Sequence, residues 1–339
     1  MRRFSGQTRW TTLGVGLPNE RTPVKYTVVI PAFNSASVVG ETIDRTTTFL
    51  RALGESYEVI VVNDGSRDET WDVLRRCALN QPGLVAIDLL RNYGQHTAVL
   101  CGLRASNGEY TITLDDDLQN PPEEIRHLID KADEGHDLVI GRFRRKHHAW
   151  YRRVGTWIIG GVNRRIFRKP KGLILTNFRL IRRDVVDRIC SYDTNFPYIP
   201  GLALMFARSP ANVLVEHRAR ESGTSQYSSL TIFQLVLRIL FSYSTYPLRT
   251  VSLVGGAAAA ASFVLGTAYL AWALLVGTTV PGWATVVVLL SFFNGVAMLS
   301  LAMLGEYTVR LLNQTSGHAC YYIRETVRRD EVAREPKAR

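Results

Sequence analysis

Charge is missing from one long part of this 339-residue sequence. Residues 250–305 contain no Asp, Glu, Lys or Arg. No soluble core helix needs so long a charge-free run, whereas two bilayer crossings need about twenty apolar residues each. Two membrane-spanning helices are expected there. Cysteine is scarce too. Cys77, Cys101, Cys190 and Cys320 are scattered without metal-ligand spacing, which excludes a disulfide framework and suits a reducing compartment. No GxGxxG or Walker-type phosphate loop occurs, which argues against dinucleotide enzymes and P-loop NTPases. Arg2 and Arg3 have no apolar core behind them, so no signal peptide is read at the start.

What surrounds the charge-free part is polar and basic. The net charge is +11 and the isoelectric point about 9.7. Such a chain, with membrane spans, faces anionic lipid or phosphate substrates and not nucleic acid. Residues 1–24 lack periodicity and read as a flexible tail. Residues 26–31, 57–62, 84–90 and 110–114 read as short apolar strands, alternating with helices over 38–53, 69–79 and 96–105. That alternation implies an α/β fold, a mostly parallel sheet with helices on both faces. Ligands of such sheets bind outside the carboxyl ends of the strands. Three polar clusters fall at those ends: Phe33-Asn34, Asn63-Asp64-Gly65-Ser66 and Asp115-Asp116-Asp117. Each alone is a common turn; together they point to a nucleotide site.

The acidic triplet lies between a strand and a helix that Pro121-Pro122 can start. Three carboxylates repel one another unless a cation sits among them. Mg²⁺ or Mn²⁺ takes such oxygen ligands together with substrate phosphates. Taken alone, the stretch is equally a solvated acidic turn.

Four segments carry a family likeness: Val28-Val-Ile-Pro-Ala-Phe-Asn34, Val62-Asn-Asp-Gly-Ser66, Arg91-Asn-Tyr-Gly-Gln-His96 and Leu114-Asp-Asp-Asp-Leu-Gln-Asn-Pro-Pro-Glu-Glu124. They resemble the family 2 glycosyltransferases and, more narrowly, the polyprenyl-phosphate glycosyltransferases, which include dolichyl-phosphate mannose synthase, the bacterial glucosyl carriers and the undecaprenyl-phosphate aminoarabinose transferase. The last is the most similar. The resemblance implies a GT-A type sheet in a domain over 25–228. Pro31, Phe33, Asn34, Asp64 and Asp115 would bind the nucleotide. Asp115 and Asp117 would be catalytic and hold the metal against the diphosphate, with Gln119 a further ligand. Asp116 is left unassigned. Arg220, Ser225 and Tyr227, in Arg218-Ala-Arg-Glu-Ser-Gly-Thr-Ser-Gln-Tyr227, would hold the acceptor phosphate, with Arg142 and Arg153 as additional contacts. Ser35, Asn63, Asn177 and Gln226 depart from the family pattern. Relatives form homotetramers, so an oligomer is implied.

Downstream, residues 150–168 interleave Arg152, Arg153, Arg164, Arg165 and Arg168 with Trp150, Tyr151, Trp157 and Phe167 and read as a basic amphipathic helix. It suits a membrane interface with anionic headgroups; the plainer possibility is a solvated basic face. A juxtamembrane helix is expected over 229–246 and a two-helix hairpin over 250–308, with spans at 251–276 and 284–304. Arg249 before the pair and Arg310, Arg324, Arg328 and Arg329 after it make both flanks basic, while the turn between is uncharged. The catalytic domain and both termini are therefore expected in the cytoplasm, on a bacterial inner membrane, with 309–339 a tail. The expected activity is inverting, metal-dependent transfer of a sugar from a nucleotide sugar, UDP favoured, to polyprenyl phosphate. A processive polysaccharide synthase would need more spans and a Gln-x-x-Arg-Trp motif. A non-catalytic scaffold keeping the fold is the other alternative.

Overall fold

The computed structural model describes residues 24–143, 161, 164–167, 169–192, 194, 196–216, 239, 242–244, 282–315 and 320–329, with isolated positions between 250 and 275. The apolar runs form the middle of one sheet: β1 (Val24–Ala32), β2 (Tyr57–Asn63), β3 (Leu84–Leu89) and β4 (Gly108–Thr113). They are joined by α1 (Val39–Ala52), α2 (Thr70–Asn80) and α3 (Gln95–Ala105). These are the expected elements, with ends displaced by one or two residues. β1 pairs in parallel with β2 and β4, and β2 with β3.

Pro121 precedes a short 3₁₀ turn, Pro122–Glu124, and then α4 (Ile125–Asp133). β5 (Leu138–Phe143), β6 (Arg179–Arg182) and β7 (Pro210–Val215) extend the sheet beyond β4, with α5 (Arg183–Ser191) and α6 (Ile199–Phe206) between β6 and β7. The strand order is β7-β5-β6-β4-β1-β2-β3-β8. Because β6 is antiparallel to both β4 and β5, β5 and its parallel neighbour β7 run the same way as β4. The carboxyl ends of β1 to β5 and of β7 therefore share one rim.

Both faces of the sheet are buried, which is why its strands are apolar without alternation. Val28 and Ile30 face Ile43, Leu50, Leu74 and Leu128 of α1, α2 and α4. Val29, between them, faces Ala98 and Cys101 of α3. α3 approaches so closely that a Cβ on Gly102 would stand 2.3 Å from Val29 Cγ1. The path from β1 to β3 thus winds over one face, and the β3–α3–β4 crossover returns over the other, placing β4 on the far side of β1. The switch point lies between the ends of β1 and β4, where doubly wound sheets bind ligands. The β1–β4 ladder stops at Val29 and Thr113. Pro31 follows that last pair, so its missing N–H breaks no bond on that side.

The C-terminal part differs from the expected tail. β8 (Ile323–Arg328) pairs antiparallel with β3 and closes that edge. It carries three charges and buries Val327 alone. An edge strand half in solvent has little hydrophobic signature. α7 (Trp283–Thr315), 33 residues long, covers the second expected span. Many of its side chains fall outside the described residues. Among the described residues no helix is long and apolar enough to cross a membrane, so the expected pair of spans is not established. Most of 150–168, 229–246 and 251–276 also lies outside the described residues.

Candidate active site

Three loops meet at the switch point and are tied to one another by hydrogen bonds. In the loop after β1, the Phe33 N–H donates to Asp116 Oδ2 at 3.3 Å. The Asn34 N–H donates to Ser66 Oγ at 2.9 Å, and Asn34 Oδ1 accepts the Arg67 N–H at 2.9 Å. Asn34 has φ +50°, a left-handed conformation that asparagine tolerates better than most residues. At the end of β2, Asp64 accepts the Tyr93 N–H at 2.7 Å and the Gly94 N–H at 2.9 Å, one on each carboxylate oxygen. That clasp aims the start of α3 at the acidic triplet. Gln95 Nε2 donates to Asp115 Oδ1 at 2.7 Å.

β6 brings a fourth contribution. Asn177 Nδ2 lies 3.4 Å from the same Asp115 oxygen. Asn177 Oδ1 accepts from Arg179 Nη2 at 3.0 Å, and its carbonyl accepts from Thr113 Oγ1. Arg179 is buried, and burial lowers its pKa to about 10, so it remains a cation at neutral pH. The Asn177 amide therefore bridges a carboxylate and a guanidinium, donating to one and accepting from the other.

The electrostatics are dominated by burial, with crowding of the carboxylates second. Burial, followed by the charges of Asp117 and Asp116, pushes Asp115 up to about 6. Burial raises Asp116 as well and pushes Asp64 up to about 6 against its two N–H donors. His96, edge-on to Tyr198 with ring centroids 5.4 Å apart, is pushed down to about 4 by burial and then by Arg179. It is neutral at pH 7.

A carboxylate held at unfavourable potential by two others suits a cation. Among the described residues, no group of three or more His, Cys, Asp or Glu forms a complete metal cage. Asp115 and Asp117 are hard oxygen donors, the kind that could hold Mg²⁺ or Mn²⁺ only with substrate phosphates and water completing the shell. Asp117 Oδ1 meanwhile accepts the Gln119 N–H at 3.1 Å.

The expected residues divide as follows. Phe33 and Asn34 are exposed at the rim, Pro31 is buried inside β1, and Asp64 is buried and engaged by the backbone of 93–94. Arg142 is exposed at the end of β5, on the same rim as Asp115. Arg153, Arg220, Ser225 and Tyr227 lie outside the described residues. Gln95, Asp116 and Arg179 were not anticipated in their bridging roles. Gln95 stood within a recognised motif, but its target is 20 residues away. Arg179 is reached only because β6 inserts beside β4.

The Asp64 clasp predicts a pH effect with a definite sign. Its folded pKa of about 6 exceeds the value of about 3.9 for an unfolded aspartate. This group's contribution to stability therefore declines as pH rises between those values and is constant above pH about 6. Loop order follows the opposite sign, because only the carboxylate accepts both N–H groups. Hydrogen exchange at the Tyr93 and Gly94 amides, corrected for intrinsic rates, is expected to lose protection as pH falls through about 6. Asp64→Asn is expected to lose it at Gly94 at every pH. Equal protection at pH 5 and 7.5 in the unaltered protein would refute the clasp.

A doubly wound sheet with crowded carboxylates and nucleotide-type loops at its switch point defines a GT-A-like glycosyltransferase architecture. A solved glucosyl-3-phosphoglycerate synthase from Mycobacterium tuberculosis, in complex with Mn²⁺, UDP and phosphoglyceric acid, superposes with a TM-score of 0.50 at 18% identity, covering 64% of this chain and 78% of that one. That likeness shows the fold. Residues 27–190 match the glycosyl transferase family 2 model. The undecaprenyl-phosphate 4-deoxy-4-formamido-L-arabinose transferase of Proteus mirabilis is 34% identical over 306 residues, 89% of this chain and 94% of its own. Its Serratia proteamaculans counterpart is 35% identical over 310 residues, with the same coverage. The chain belongs to glycosyl transferase family 2, in its polyprenyl-phosphate branch, and is a glycosyltransferase.

Proposed function

We propose that the protein transfers a sugar from a nucleoside diphosphate sugar, with UDP the favoured nucleotide, to undecaprenyl phosphate, with inversion at the anomeric carbon. The carrying observation is the convergence of Phe33, Asp64, Gln95 and Asp115 to Asp117 at the switch point through mutual hydrogen bonds. The names of the relatives and their near-complete coverage by this chain support the acceptor. Asp115, Asp117 and Gln119 would hold Mg²⁺ or Mn²⁺, which when bound offsets the charge of the donor diphosphate. The oxygen of the acceptor phosphate bonds to the anomeric carbon as the bond to the diphosphate breaks, and nucleoside diphosphate leaves. A phosphate monoester is already anionic, so no general base is required. Asn177 therefore has no proton to take. Its part is to keep Asp115 and Arg179 in register.

The acceptor side is supported by a cleft of about 680 Å³ at the ends of β5 and β7. Arg142 and Lys169 flank it, and Phe143, Leu173, Ile174 and Leu214 give it an apolar lining. Cations beside an apolar wall match a prenyl phosphate headgroup. Strand polarity puts this cleft on the rim that carries Asp115. Arg153, Arg220, Ser225 and Tyr227 complete the proposed phosphate contacts. α7 exposes Phe292, Met298, Leu301 and Leu304 by more than half, which supports a lipid-facing hairpin with the catalytic domain on the cytoplasmic side of a bacterial inner membrane. A homotetramer completes the proposal.

The test is turnover. Purified protein, undecaprenyl phosphate and Mn²⁺ or Mg²⁺ are mixed with a panel of UDP- and GDP-sugars. A metal-dependent lipid-linked sugar from one UDP donor is expected. Silence across the panel, with undecaprenyl phosphate bound, would overturn the donor assignment.

A further inference from the structure

We infer that the C-terminal strand β8 reaches the donor site through a buried relay, and that Arg324 is a positioning residue for the nucleotide-binding loop. The inference rests on the proposal that the donor binds at the rim near Phe33 and Asn34. The relay begins at Asp88, near the end of β3, with 0% exposure. Arg324 Nη1 stands 3.2 Å from Asp88 Oδ2, an ion pair outside hydrogen-bond geometry. Arg324 Nη2 donates to the Leu90 carbonyl at 3.0 Å, and the Leu90 N–H donates to the Tyr322 carbonyl at 2.9 Å. Arg324 thereby serves as the countercharge of a carboxylate with no access to water.

The other Asp88 oxygen accepts from Asn63 Nδ2 at 2.7 Å. Asn63 Oδ1 then accepts from Ser66 Oγ at 2.5 Å. Ser66 Oγ in turn accepts the Asn34 N–H at 2.9 Å. The direction of this chain is fixed at both ends. A carboxylate only accepts, and a backbone N–H only donates. Hence the Asn63 amide has one orientation and the Ser66 hydroxyl one rotamer, and Asn34 is held at its left-handed φ. The relay also accounts for asparagine at position 63. An aspartate there would set two buried carboxylates against each other.

Losing Arg324 leaves Asp88 buried without its cation, so that Asp88 takes a proton or turns and frees the Asn63 amide. The experiment uses full-length protein in detergent with Mg²⁺, comparing Arg324→Ala, Arg324→Lys and Glu325→Ala. Glu325 is a control on the same strand, 3.8 Å from Arg75. Calorimetric UDP affinity and hydrogen exchange at the Asn34 amide are read for each. Arg324→Ala is expected to weaken UDP binding about tenfold, with kcat and the acceptor KM unchanged, and to accelerate Asn34 exchange. Arg324→Lys is expected to recover most of both, and Glu325→Ala to change neither. Unaltered Asn34 exchange in Arg324→Ala, or an equal loss in Glu325→Ala, overturns the relay. Absence of UDP binding in the unaltered protein overturns the donor assignment instead, and the Asn34 amide still decides the relay.

Discussion

Asp115→Asn and Asp117→Asn are each expected to lower turnover by about a thousandfold or more while the protein stays folded. The reason is asymmetric. Asp115 is pushed up to about 6 by burial and by Asp117 and Asp116, so its charge destabilises the fold in the absence of a counterion. Asparagine keeps an oxygen to accept from Gln95 Nε2 and removes the repulsion. The melting temperature of metal-free Asp115→Asn is therefore expected to equal or exceed that of the unaltered protein, as at other sites where function is kept at a cost in stability. Nucleotide release and a thermal melt on the same preparations check both halves. Full activity in both variants would overturn the assignment of these carboxylates.

The second large effect is expected at Gly65. Its φ is +65°, and a Cβ there would stand 2.4 Å from the Arg91 carbonyl carbon and 2.6 Å from the Asn92 nitrogen. Both obstacles are backbone, so no rotamer change relieves them. Gly65→Ala must displace the 91–94 segment that Asp64 clasps. The conformational penalty and the displaced contacts together make about 3 kcal/mol of destabilisation, read as a lower denaturation midpoint. Donor affinity falls with it, because Gln95 moves away from Asp115. An unchanged midpoint and unchanged UDP binding would show that the loop yields freely.

Much of this was legible in the residues. The strands of the first half are continuous apolar runs and the helices between them have clear periods, so the parallel core and the rim where its polar loops gather followed from pattern alone. The acidic triplet stood out because carboxylates cluster at such a position only at a cost. What the pattern did not reveal was contact at a distance. Gln95 and Arg179 reach Asp115 because of strand order, and strand order is not written in any local window. β8 was hidden for a different reason. Three of its six residues are charged, its burial is one-sided, and its pairing with β3 joins positions more than 230 apart in the chain. The motifs gave no sign of a bracing role. The side chains of Asp64 and Asn34, expected at the nucleotide, hydrogen-bond to neighbouring loops.

The return of the chain at β8 imposes a rule of parity. β3 and β8 lie side by side in one sheet, and the whole charge-free stretch lies between β7 and β8 in sequence. However often the intervening chain traverses a bilayer, it must do so an even number of times, because an odd number would leave β8 on the wrong side from its partner. A hairpin of two crossings obeys the rule, and one or three would not. The edge strand is thus a molecular bookmark: it marks the compartment to which the polypeptide has come back.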